Sequence, residues 1–121
     1  YWVPAAGSLA DPEHHVSVIY DNRRRISTRL QQLRTGKRYA QAPASNLRRI
    51  ISNIEILAAE GDESTVGANF VLYESKSRGI ETWAGRVTYL LRRVDGELKL
   101  ARKTVMLVNY AEALPTLGFL I

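Results

Sequence analysis

Cysteine is absent from this 121-residue chain. That excludes disulfides and thiolate metal sites, and it fits a cytoplasmic protein. Histidine is scarce: His14 and His15 are the whole supply, and they are adjacent. Adjacent side chains point to opposite faces of a strand, or about 100° apart on a helix, so this pair is poorly placed to chelate one metal. An iron–sulfur cluster held by two Cys and two His cannot be built, and a mononuclear iron site wants two His and a carboxylate on one face. No apolar run approaches the roughly 18 residues that span a membrane. The opening Tyr1-Trp2-Val3-Pro4 has no basic region leading into an apolar stretch, so no signal peptide is expected, and there is no initiator Met. A glycine-rich phosphate loop and a nucleophile elbow are also missing.

What is present describes one folded domain over residues 1–121. Apolar residues make up 45% of the chain, typical of a globular protein, and the length suffices for a single core. The formal charge of +5 and pI near 9.8 permit an acidic partner, either a protein surface or a nucleic acid.

The periodicity gives the order of elements. Tyr1 to Pro4 reads as a strand end closed by Pro, and Ala5 to Glu13, with Gly7, Ser8, Asp11 and Pro12, as a loop. His15 to Tyr20 is a β-branched run. Asp21 or Asn22 can cap a helix to about Arg34, whose Ile26, Leu30 and Leu33 share one stripe. Gly36 can end it in the left-handed conformation, with Arg34, Lys37 and Arg38 near the negative end of its dipole. Beyond the Pro43 loop, four long strands are expected over 47–59, 65–77, 80–94 and 98–109. Their turns lie at Glu60-Gly61-Asp62-Glu63, Arg78-Gly79 and Asp95-Gly96, the last being the strongest hairpin signal. Phe70 and Leu72 should face opposite to Val71 and Tyr73. The result is an antiparallel meander with an apolar face to cover. A single helix is narrow cover for it, so an N-terminal helical segment, a partner chain, or both should supply the rest.

Seven segments, in order, resemble a known family. Tyr1-Trp2-Val3-Pro4, Tyr20-Asp21-Asn22, Leu33-Arg34-Thr35-Gly36, Arg49-Ile50-Ile51-Ser52-Asn53-Ile54, Ala68-Asn69-Phe70-Val71-Leu72-Tyr73-Glu74-Ser75, Ala84-Gly85-Arg86 with Leu90-Leu91-Arg92-Arg93, and Ala101-Arg102-Lys103-Thr104-Val105 are similar to motifs of the small (beta) subunits of bacterial aromatic-ring-hydroxylating, Rieske-type dioxygenases. Asn22 stands where a second Asp is usual, Gln41-Ala42-Pro43-Ala44 replaces a more acidic double-Pro loop, and Asn46 replaces a common Arg. The resemblance implies an α+β fold of nuclear-transport-factor-like, cystatin-like type. Its strongly curved antiparallel sheet forms a cone, with the helix on the concave face. Family members usually carry a helical segment before the first strand. The resemblance also implies a non-catalytic subunit that holds no cofactor itself. The Rieske iron-sulfur cluster and mononuclear iron are expected in the large (alpha) subunit, and three small subunits are expected as a trimer within a hexamer.

The residues allow more than one reading of where a partner would bind. Arg86, Arg92, Arg93, Arg102 and Lys103 can anchor a partner's carboxylates through bidentate or charge-assisted bonds, or can form cross-strand pairs with Glu74, Glu81 and Glu97. Trp83, with Tyr73 and Tyr89, can anchor an interface or fill a core. The apolar end, Leu117, Phe119, Leu120 and Ile121, is expected to bind a neighbouring subunit rather than fold back. Arg23-Arg24-Arg25 with Arg29 reads as the solvated face of the helix, and His14-His15 as an exposed loop pair. The alternative function is a stand-alone ketosteroid-isomerase-like or dehydratase-like enzyme of the same fold, for which Asp21, Tyr20 and His15 are the plausible cluster. A nucleic-acid-binding domain is supported by charge alone. Neither nucleic acid nor membrane is expected as a partner.

Overall fold

The computed structural model describes residues 1–5, 11–37 and 39–121. The loop signals Gly7 and Ser8, and Arg38 beyond the helix, lie outside the described residues. The elements run β1 (Trp2–Pro4), β2 (Ser17–Tyr20), α1 (Arg23–Arg34), β3 (Asn46–Glu60), β4 (Glu63–Lys76), β5 (Gly79–Val94) and β6 (Glu97–Leu107), with a short 3-10 turn at Tyr39–Gln41. They form an α+β fold: one helix against a curved, unclosed six-stranded sheet in the order β2-β1-β6-β5-β4-β3.

The four long strands pair antiparallel in sequence order, as hairpins require. β1 pairs antiparallel with β2 but parallel with β6, through Trp2 opposite Thr104. The four long strands form the expected antiparallel meander, and the β1–β6 pairing makes the six-stranded sheet as a whole mixed. β1 and β6 are joined by most of the chain, and so long a connection does not dictate direction as a tight turn does.

Local chemistry explains the boundaries. Asn22 Oδ1 accepts the backbone N–H of Arg25 at 3.0 Å and starts α1. Gly36 stops it at φ 66°, a conformation costly for residues with a Cβ. Asp95 and Gly96, at φ 51° and 80°, make the two positive-φ residues that a tight type I′ hairpin demands.

Alternation sets the core. Along β4, Ala68, Phe70, Leu72 and Glu74 are buried while Asn69 and Tyr73 are exposed. Trp83 stands opposite Leu72, and Val87 opposite Ala68 and Val105. All five apolar partners are buried with Val3, Ile19 and Leu107. From α1, Ile26 and Leu33 are half-buried, whereas Leu30 is 41% exposed and no helix residue is fully buried.

The chain end supplies cover that the helix does not. Leu117, Phe119 and Ile121 are buried against the sheet's core face. The Phe119 ring meets Trp83 edge-on at 5.8 Å and 89°. This corrects the expectation that the tail lacks a partner within its own chain. Trp83, Leu117, Phe119 and Ile121, named above as candidate interface residues, lie in the core of this chain. Alternate tail residues face the sheet, and burying them removes apolar area from water without a second chain. Cover is still incomplete: β3, an edge strand, is exposed along its whole length, with Ile54 and Ile56 over 70% accessible.

Candidate subunit interface

The cationic residues singled out in the sequence divide sharply by environment. Arg86 lies opposite Asn69 on the outer face. Its guanidinium donates to Asn69 Oδ1 at 3.3 Å and Glu55 Oε2 at 3.0 Å. Gly67 makes room for it: a Cβ there would come within 2.6 Å of Arg86 Nη2. Arg92 faces Glu63 across the β4–β5 register and bonds it at 2.7 Å through Nε. Arg93 Nη1 donates to the Gly96 carbonyl at 3.0 Å, bracing the hairpin. These three are intrachain struts, although with Glu55 and Glu63 rather than the expected Glu74, Glu81 and Glu97. Glu97 binds Lys99 instead.

Arg102 and Lys103 are different. Arg102 is exposed and forms no ion pair among the described residues. Lys103 is half-buried, with its ammonium 5.5 Å from the Tyr1 ring centroid and 5.7 Å from that of Tyr89. It donates to the Ile121 carbonyl and so ties the tail to the sheet. Burial, with the nearby Arg49 charge, brings the Lys103 ammonium down to about 8.

Sequence reasoning placed Glu74 in a surface pair, but it is a buried carboxylate. Trp83 Nε1 donates to Oε2 at 3.1 Å, while Ser45 Oγ at 2.6 Å and Lys76 Nζ at 2.8 Å bind Oε1. Gln41 reaches the same oxygen at 3.5 Å and also holds Ser45. Burial alone would raise the carboxyl's pKa. The bonds from Lys76, Ser45 and Trp83 outweigh burial and hold it below the ordinary glutamate range. Parity was the available signal, since Glu74 continues the face of Phe70 and Leu72. The loop that brings Ser45 and Gln41 to it left no periodic trace.

Of the cluster that an enzyme of this fold would use, Tyr20 and Asp21 line one cleft and His15 does not. His14 and His15 occupy an exposed turn, where their Nδ1 atoms meet Asp11 Oδ2 at 2.5 Å and the Asp11 carbonyl at 3.0 Å. Tyr20 points its hydroxyl at Glu13 Oε1, 2.7 Å away, and that bond raises its pKa. Asp21 is buried against Arg29 at 2.8 Å. Among the described residues, no group of three or more His, Cys, Asp or Glu is placed to hold a metal ion. No described helix is long and apolar enough to cross a membrane.

Residues 1–111 match the model of the ring hydroxylating beta subunit family. This chain belongs to that family. Two curated members show how it relates to the rest. The small oxygenase component of the p-cumate 2,3-dioxygenase system of Pseudomonas putida is 33% identical over 109 residues, covering 88% of this chain and 61% of the relative. The biphenyl 2,3-dioxygenase subunit beta of Rhodococcus jostii is 30% identical over 91 residues, covering 72% of this chain and 49% of the relative. The chain thus spans about half to three-fifths of the length of these beta subunits. Among solved structures, the beta subunit of the benzoate 1,2-dioxygenase of Burkholderia mallei superposes with a TM-score of 0.70 at 26% identity. It covers 90% of this chain and 69% of that one. That beta subunit shares the fold described above.

Proposed function

We propose that this chain is the non-catalytic, structural small subunit of a cytoplasmic, multi-subunit aromatic-ring-hydroxylating dioxygenase. It supports assembly of the iron-containing large subunit in the catabolism of aromatic compounds. The family match over residues 1–111 carries this reading. The donor chemistry supports it, because two exposed adjacent histidines on one turn cannot furnish an iron site and the chain holds no cysteine. The Rieske cluster and the mononuclear iron therefore belong to the large subunit, as does the substrate pocket. Three small subunits assemble as a trimer within a hexamer, which suits the preference of identical chains for closed rings. Of the candidate anchors, Arg102 keeps its charge available for a partner, whereas Lys103 is engaged by the Ile121 carbonyl.

Co-purification from the native host, with metal analysis, tests the proposal. The expected result is co-elution with a larger iron-containing chain and no stoichiometric iron in this chain alone. Tightly bound iron in the isolated chain, or oxidation of an aromatic substrate by it, overturns the reading.

A further inference from the structure

An open cleft of about 1070 Å³ lies between the start of α1 and the outer half of β6. Arg23 and Arg25 line it from the helix, and Lys99, Arg102 and Lys103 from the strand. Two acids share the lining, and both are already engaged: Glu13 accepts the Tyr20 hydroxyl, and Asp21 binds Arg29. Lys99 is matched by Glu97, and Arg25 Nη1 donates to the Tyr20 carbonyl at 3.1 Å. Arg23 and Arg102 enter no ion pair among the described residues.

The surplus charge is costly where it stands. Arg23 opens a helix whose first turn contains no acidic residue, so its cation sits at the positive end of the dipole. Lys103 is partly desolvated and further disfavoured by Arg49. Trp2, Ile26 and Leu120 also line the cleft and give it apolar surface beside these cations. Excess positive charge beside apolar surface complements an acidic ligand that also carries apolar groups.

We propose that this cleft docks an acidic, partly apolar polypeptide segment of the large subunit. The inference rests on the subunit reading given above. A segment fits better than a small acid, because the cleft is open and its cations are spread over two separate elements, the helix and the strand. A protein fits better than a nucleic acid. Single strands need exposed aromatic platforms, whereas Trp2 is 8% exposed.

The test measures binding of the separately purified large subunit to the wild-type chain, to an Arg23→Glu/Arg102→Glu double variant, to Arg102→Lys, and to Arg92→Glu. Arg92 pairs with Glu63 and does not line the cleft. Thermal melts confirm folding, and light scattering records the mass of each free small subunit. The double variant should bind at least tenfold more weakly with an unchanged melt and mass. Arg102→Lys should bind nearly as the wild type, Arg92→Glu should lose less than threefold, and wild-type affinity should fall as salt rises. Equal binding by the double variant and the wild type overturns the docking site while leaving the subunit reading intact. A change in self-association instead assigns the cleft to a second copy and also overturns it. So does preferential, charge-dependent capture of a single-stranded oligonucleotide. Failure of the wild type to bind the large subunit at all overturns both readings.

Discussion

Two ionisable groups with depressed pKa values, Glu74 and Lys103, each make stability rise with pH, in separate windows. Glu74 has a depressed pKa in the folded chain, against an ordinary value of about 4.3. A depressed carboxyl contributes stability that is present above its unfolded pKa and lost as pH falls through the folded one. Melts of the wild type should therefore drop on acidification below about pH 4.3, and Glu74→Gln should show a shallower drop over the same range. Glu74→Ala should cost about 1–3 kcal/mol at neutral pH, because Trp83 Nε1–H and Ser45 Oγ lose their buried acceptor. An equal acid response in Glu74→Gln and the wild type would contradict this assignment. Lys103 acts in the same sense at higher pH. Its folded pKa of about 8 lies below the ordinary value of about 10.4, so between the two the unfolded chain binds more protons and stability rises with pH. Replacing it in Lys103→Met should flatten that rise, as read from melting temperatures between pH 7 and pH 10.

At the scale of elements, the tail and the β5–β6 pair deserve the sharpest tests. Phe119 is buried edge-on against Trp83, so Phe119→Ala should cost about 3–5 kcal/mol in denaturant unfolding. A loss under about 1 kcal/mol would fit a tail that packs elsewhere, against a neighbour. Gly85 faces the backbone of β6 so closely that a Cβ would come 2.0 Å from the Met106 carbonyl oxygen. Gly85→Ala should lower stability by about 1–3 kcal/mol through strand separation, detectable as faster amide exchange in β6. The long exposed edge of β3 is interrupted by register shifts after Ser52 and Ile56, with Asn53 at φ 50°. Such bulges bend an edge away from indiscriminate pairing while leaving its apolar side chains exposed.

For the whole molecule, the incomplete cover of the sheet is the property that bears on assembly. Ile50, Ile54 and Ile56 of β3 and Leu98 and Leu100 of β6 remain more than half exposed. Large apolar patches of this kind mark interaction surfaces. Light scattering of the chain at tens of micromolar should give a mass above that of a 13.6 kDa monomer. A strictly monomeric solution would weigh against self-association as the means of covering these strands.

The sequence alone was enough to determine the six strands and the α-helix to within a few residues, because the signals are local. Alternation marks β4, the 26-30-33 spacing marks α1, Asn22 caps it, and Asp95-Gly96 turns the hairpin. The family was legible for the same reason, since its motifs lie along single strands. Tertiary structure alone decided which charges meet and which apolar groups are covered. Arg86 finds Glu55 through a bulged register two strands away, and Glu74 finds Ser45 through a loop. The tail, which reads as an orphan in sequence, folds back onto Trp83. The parallel pairing of β1 with β6 joins residues about a hundred positions apart. Such contacts follow from how the sheet curves and where the chain ends return to it, and no periodicity along the chain encodes them.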